Sequence, residues 1–526
     1  MKTTQQTLFY TAVLMITGCG GGGGSSTPTP TPIDATPPSL QSSEPVDGAG
    51  PVSIVTDPRV TFSEALDAVT VNIDNVSLQN ASSVQVRGEV SYDSASNSVI
   101  FTPIEPLAGG TVFTMTLNNI SDLAGNTSPE VSVSFSTFLA PLVQSVSYRD
   151  GAIIGQTDTE NDADGLPQRI INRADAGNDG LWQTGDETPR RYTEFTRDLN
   201  GDVISETSFS DAGVDGQWFT PDDVINGYRT FENDERGLNI RDIEWLSGPD
   251  GILATDDDVP RQYRERVFTT FGEERVLASF RTPGADGIWF NADDDPDRAS
   301  IVRIYDDQGT LIRNTQVQRG PDNLVETADD SITRYFSVTR NDTEMRVELI
   351  EYDGAGDDGD WYTADDQIRN YQFSPFDSQG RQTGFLRGSN AGVDGIWFNS
   401  DDEIRTPINR FSYDDSDPTQ TVLTITDYNE LGADGLPLTA DDVISRIRIQ
   451  RLLEKNLRLE EDLFSSAGAD GVWQTSDDEQ TRYTMFDRDE DLNLLREASF
   501  GSPGPDGVYR TPDDVLLGEL IYGDVR

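Results

Sequence analysis

The stretch Gly213-Val214-Asp215-Gly216-Gln217-Trp218-Phe219-Thr220-Pro221-Asp222-Asp223 recurs, with variations, ten times in this 526-residue chain. The copies begin at Gly177, Gly213, Gly248, Gly284, Gly320, Gly356, Gly392, Gly432, Gly468 and Gly504. The steps between them are 36, 35, 36, 36, 36, 36, 40, 36 and 36 residues. A fixed period of this length marks a repeat array, in which each unit leans on its neighbours to complete its packing.

Between the motifs the chain reads strand, turn, strand. Residues 191–196 and 203–210 are two runs of strand-forming residues, separated by Asp198-Leu199-Asn200-Gly201. Asp and Gly at those places are a hairpin signal, because Gly takes positive φ without steric cost. The same plan recurs at 263–269 and 275–280, and at 301–305 and 311–317. Residues 443–464 contain good helix formers, but their register with the other units predicts two strands. An isolated hairpin is barely stable, so hairpins in series must pair with one another. The expectation for residues 141–526 is therefore an array of β-hairpin repeats forming an extended or curled antiparallel meander.

Each motif carries acids at positions 3, 10 and 11. They are Asp179, Asp186 and Glu187; Asp215, Asp222 and Asp223; Asp250, Asp257 and Asp258; Asp286, Asp293 and Asp294; Asp322, Asp329 and Asp330. The second half of the array continues with Asp358, Asp365 and Asp366; Asp394, Asp401 and Asp402; Asp434, Asp441 and Asp442; Asp470, Asp477 and Asp478; Asp506, Asp513 and Asp514. An Asp-Gly turn followed by a distant Asp-Asp pair folds three hard oxygen ligands towards one point, which suits Ca²⁺. Ten such ions would add about +20 to the net charge and relieve self-repulsion. The alternative is that these acids cap turns and accept from backbone amides. The aromatic position holds Trp182, Trp218, Trp289, Trp361, Trp397 and Trp473, with Leu253, Val325, Pro437 and Tyr509 elsewhere. Aliphatic replacements point to a packing anchor rather than a sugar-stacking platform.

Composition bounds the function. The formal net charge is −54, with no histidine and one cysteine. Phosphate recognition needs clustered Lys and Arg, so nucleic acid is excluded as a partner. The absence of His and of paired Cys removes His-based triads, Cys/His zinc sites and disulfides. Of 39 basic residues only Lys2 and Lys455 are lysine. Arg offers a planar fork that grips carboxylates, so the bias fits structural pairing as well as genome composition or salt adaptation. Paired carboxylates can hydrolyse glycosides. Ten near-equivalent copies argue against one catalytic pair, so the chain is read as a non-enzyme.

Three further segments precede the array. Residues 8–16 are a short apolar stretch after Lys2, followed by Ile16-Thr17-Gly18-Cys19. This resembles the lipobox of bacterial lipoproteins. The resemblance implies a signal peptide at 1–18, Cys19 as the lipid anchor and, with Gly20 rather than Asp next, outer-membrane sorting. Residues 19–35 are rich in Gly, Ser, Thr and Pro. They form a tether reaching at most roughly 60 Å. Residues 36–138 hold β-like runs at 52–62, 69–78, 84–92, 98–102, 111–117 and 131–135. Glu44-Pro45, Phe62-Ser63-Glu64, Phe101-Thr102-Pro103, Leu107-Ala108-Gly109-Gly110-Thr111 and Asp122-Leu123-Ala124-Gly125-Asn126 follow in order. These landmarks resemble the SbsA-type bacterial Ig-like domain of surface-layer proteins, which implies a β-sandwich without a disulfide. In the array, Tyr305-Asp306-Asp307-Gln308-Gly309 and Phe376-Asp377-Ser378-Gln379-Gly380 resemble the core of bacterial Tyr-Asp (RHS-type) repeats.

The fold class expected is thus all-β. The role expected is a lipid-anchored cell-envelope protein with a binding, adhesion or scaffolding task, with Ca²⁺ as a candidate stabilising ion. Its partners would be the membrane, through the anchor, and an extracellular protein or glycan. The alternatives are a periplasm-facing structural or assembly lipoprotein, and a carboxylate-based hydrolase of envelope polysaccharide.

Overall fold

The computed structural model describes residues 34–523, apart from 140, 150–151, 163–164, 174, 178, 292, 297–298, 307–308 and 323. The signal peptide, Cys19 and nearly all of the tether lie outside the described residues.

Residues 40–137 form two four-stranded sheets. One runs in the order Leu40–Glu44, Arg59–Phe62, Ser98–Pro103, Gly88–Asp93. The other runs Ala49–Val52, Val131–Thr137, Val112–Leu117, Val76–Asn80. Alternate side chains of Arg59–Phe62 and Val112–Leu117 point inward. Phe62, Phe101, Met115 and Phe135 meet in one buried core between the sheets. Full burial of each such side chain contributes roughly 1.5–3 kcal/mol. The sequence pattern holds for Ser98–Pro103, Val112–Leu117 and Val131–Thr137. It errs at 52–62, where Ala49–Val52 and Arg59–Phe62 belong to opposite sheets and the chain between them crosses the sandwich. It also errs at 69–78, where Ala68–Thr70 is a 3-10 turn and the strand starts at Val76.

Beyond residue 141 the chain is a single closed ring of strands, each antiparallel to the next in sequence order. The segments Asp295–Pro296 and Ser300–Tyr305 both pair with Glu274–Thr282 and share one stave, so the ring has twenty-two staves. The last strand, Val515–Tyr522, pairs with the first, Leu142–Arg149. The Tyr148 hydroxyl donates to Glu519 across this seam at 2.9 Å. Burial and that carboxylate push the Tyr148 phenol up to about 12. Closure corrects the extended or curled sheet expected from sequence. Short turns explain it. Asp198 accepts from the Asn200 and Asp202 amides, Gly201 has φ +91°, and the register slips between Thr196 and Arg197. The same slip recurs beside the turns at Asp234 and Asp489. Bulges of this kind add twist and curvature to the sheet.

The ring wall is one sheet thick. Its largest buried clusters are small: Ile243, Tyr263, Ala278 and Phe280, and Leu423, Ile425 and Leu452. Cross-strand ion pairs do part of the work that a core does elsewhere. Asp242 takes Arg264 at 2.9 Å and Arg266 at 2.6 Å, and Asp427 takes Arg446 at 2.6 Å. The guanidinium fork lets one arginine bridge strands, as Arg266 also reaches Glu274 at 3.2 Å.

The two rims differ. Strands alternate in direction, so all ten acidic loops fall on one rim and the short turns that alternate with them, such as those at Asp198, Asp234 and Asp489, on the other. The sandwich docks on the short-turn rim. Lys455 pairs with Asp57 at 2.8 Å, and Ser53 donates to the Asp491 carbonyl at 2.7 Å. Gln85 donates its amide to Thr270 at 3.2 Å, and Arg87 binds Glu273 and the Gly309 carbonyl.

Deleting residues 515–526 removes the closing strand and leaves two unpaired edges, which are templates for association. The expected outcome is concentration-dependent oligomers in sedimentation and a lower melting temperature; a monodisperse, equally stable truncated chain would contradict closure.

Candidate functional site: the acidic rim

Within Gly213–Asp223 every constant residue has a local task. Gly213 has φ +67°, and a Cβ there would lie 2.2 Å from the Asp222 carbonyl oxygen. Asp215 Oδ1 accepts the Gln217 amide at 2.7 Å. Asp222 Oδ2 accepts the amides of Val214 at 2.7 Å and Asp215 at 3.0 Å. Asp223 Oδ2 accepts the Phe219 amide at 2.8 Å and the Tyr192 hydroxyl at 2.7 Å. Phe219 itself sits at φ +68°, a left-handed conformation costly for a side-chain-bearing residue. The Asp223 carboxylate holds it there.

The pattern extends to all ten copies. The position-3 acids Asp179, Asp215, Asp250, Asp286, Asp322, Asp358, Asp394, Asp434, Asp470 and Asp506 each accept the position-5 amide at 2.7–2.9 Å. The position-10 acids Asp186, Asp222, Asp257, Asp293, Asp329, Asp365, Asp401, Asp441, Asp477 and Asp513 each accept the position-3 amide at 3.0–3.3 Å. At position 11, Asp223, Asp258, Asp294, Asp366, Asp402, Asp478 and Asp514 accept the position-7 amide. Glu187, Asp330 and Asp442 accept the position-8 amide instead. Position 7 has φ between 61° and 72° in every copy.

The three carboxylates do gather, and a hydroxyl stands at their centre. Thr220 Oγ1 donates to Asp222 Oδ1 at 2.8 Å and lies 3.5 Å from Asp215 Oδ1 and 3.3 Å from Asp223 Oδ1. Thr363 and Thr475 repeat this arrangement. In two copies Asn291 and Asn399 replace Thr and donate to Asp286 and Asp394 at 2.9 and 3.0 Å. Backbone amides around Asp215 and the Thr220 hydroxyl hold the Asp222 carboxyl below the ordinary Asp value. Thr hydroxyls followed by position-3 amides do the same for Asp257, Asp365 and Asp477.

Sequence reasoning missed the tyrosine that receives five of the ten loops, Tyr371 beside Asp402 being one of them. Tyr192, Tyr263, Tyr335 and Tyr483 donate to an acid 31 residues later, at 2.6–2.7 Å. Burial, then the adjacent carboxylate, pushes each phenol well above its ordinary range. The signal was available as a tyrosine at a constant offset before the acid pair. The motif tryptophans meet these rings edge-on: Trp218, Trp289 and Trp361 lie 6.0 Å from Tyr192, Tyr263 and Tyr335. Each tryptophan is half-buried, as a packing anchor requires.

Outside the rim, carboxylate oxygens of Asp34, Glu64 and Asp122 lie within 4.8 Å of one another. Asp122 is itself the centre of a turn, accepting the Ala124 and Asn126 amides at 2.8 Å. That is the backbone role its Asp-x-x-Gly-Asn context implied.

Residues 34–137 match the family model of the bacterial Ig-like domain. A surface-layer protein of Geobacillus stearothermophilus is 35% identical over 96 residues, which is 18% of this chain and 8% of that protein. The chain thus spans under a tenth of that relative's length. Among solved structures, surface layer protein SbsC, domains 1–6, aligns at 12% identity over 93% of this chain and 63% of that one, with a TM-score of 0.17. An L,D-transpeptidase from Mycobacterium smegmatis aligns at 19% identity over 37% of this chain and 74% of that one, with a TM-score of 0.15. Scores that low carry no argument about shared architecture or activity.

Two substitutions separate close approach from backbone conformation. Gly392 and Gly395 have φ of +66° and +70°, but only a Cβ at Gly392 collides, 2.2 Å from the Asp401 carbonyl. Gly395→Ala costs about 1–2 kcal/mol, the left-handed penalty alone. Gly392→Ala lowers the melting temperature further; equal losses would refute the packing of the loop on its own acid pair.

Proposed function

We propose that this chain is a non-catalytic, structural protein of the cell surface. The observation that carries the reading is that the constant acids of the rim accept loop amides in every copy, with a threonine hydroxyl or a strand tyrosine added in several. Groups so engaged build a wall; a general acid or base needs a proton it can exchange with substrate. Support for the location comes from the Ig-like match and the surface-layer relative. In this proposal Cys19 anchors the chain to the outer membrane, residues 19–35 hold it off the bilayer, and the sandwich carries the ring outward.

Protease treatment of intact cells tests the location. The ring is expected to be degraded without lysis, and a Cys19→Ala chain to leave the membrane fraction. A ring cut only after lysis would move the protein to the periplasmic side and overturn the reading.

Calcium belongs to the proposal as a counter-ion. Thirty carboxylates on one rim, in a chain of net charge −54, repel one another, and divalent cations relieve that repulsion. Melting of the metal-stripped chain is expected to shift upward by several degrees in millimolar Ca²⁺, and more than in the same ionic strength of NaCl. No difference between the two salts would remove calcium from the account.

A further inference from the structure

The acidic rim is also apolar, and the loop fold does not require it to be. Position 5 of the motif carries Leu181, Ile252, Ile288, Leu324, Ile396 and Leu436, with valine in the last two copies. These side chains are 43–63% exposed. Where Gln217 takes the place, Val214 at position 2 is fully exposed. The backbone of position 5 is fixed by its amide, which donates to the position-3 acid. That bond is 2.7 Å at Gln217 and 2.8 Å at Asp360, the same as in the aliphatic copies. A polar residue therefore fits the loop equally well, and the aliphatic ones leave about half of their surface open to solvent. Successive loops are two staves apart, about 10 Å, and all but the one carrying Asp360 present an apolar tip. Repeated exposed apolar side chains ringed by polar groups mark an interaction surface.

The charge around the tips selects the occupant. Thirty carboxylates share this rim, so a second copy of the chain or an anionic lipid surface meets like charge. The sandwich occupies the opposite rim. We propose that the acidic rim docks a basic polypeptide surface, with Lys and Arg opposite the loop carboxylates and apolar side chains set between the tips. The docking holds whichever face of the envelope the ring occupies.

The test uses the full chain and three synthetic amphipathic peptides of equal length, one of Leu and Lys, one of Ser and Lys, one of Leu and Glu. The variant combines Ile252→Ser, Ile288→Ser, Leu324→Ser, Ile396→Ser and Leu436→Ser, all exposed positions at which the melting temperature should hold. The native chain is expected to bind Leu/Lys about tenfold more tightly than Ser/Lys, and Leu/Glu not at all. In the variant that tenfold difference disappears while Ser/Lys binding is unchanged. A variant that keeps the preference, or a native chain that shows none, overturns the proposal. So do self-association that the five substitutions abolish, and binding of neutral phosphatidylcholine vesicles that they abolish.

Discussion

A sheet one layer thick buries only small apolar clusters, so its stability rests on a hydrogen-bond ladder without ends. Everything beyond residue 141 follows from that constraint. The pairing of Val515–Tyr522 with Leu142–Arg149 removes both edges at once. The bulges beside the short turns supply the curvature that brings those strands together. Arginines such as Arg266 tie neighbouring strands where a thicker protein would place leucines. On the acidic rim each loop folds back on its own acid pair, and five of the ten drop an aromatic onto a strand tyrosine. Each loop thereby clamps a pair of staves that carries little apolar burial of its own.

Much of this was legible in the sequence, for physical reasons that differ by feature. The period and the Asp-x-x-Gly turns are local, and local chemistry fixes them: Gly201 needs positive φ, and Asp198 caps the turn it precedes. The tryptophan position read as a packing anchor because aliphatic residues replace it, and Trp218 against Tyr192 is such a contact. Closure was not legible, because it depends on summed twist over twenty-two staves. In the sandwich, residues 52–62 read as one run because the crossing between sheets has no strong turn signal.

The acids show the limit best. Their spacing announced convergence, and Asp215, Asp222 and Asp223 do converge. They converge around the Thr220 hydroxyl, while Asp222 Oδ2 and Asp223 Oδ2 accept loop amides. Spacing cannot separate a ligand set from a self-capped turn, because both need the same backbone. A further partner of the acids, Tyr192, lies 31 residues upstream on another strand. The exposed aliphatic tips carry no signal one at a time, because single surface hydrophobes are ordinary; only their recurrence at one rim position gives them weight.

Hydrogen exchange along the seam tests the account most directly. In a closed ring the amides of 142–149 and 515–522 are laddered on both sides and exchange as slowly as those of interior strands such as Val443–Leu452. That equality is the predicted result. Fast exchange confined to the two terminal strands would show an open sheet with frayed edges and contradict the ring.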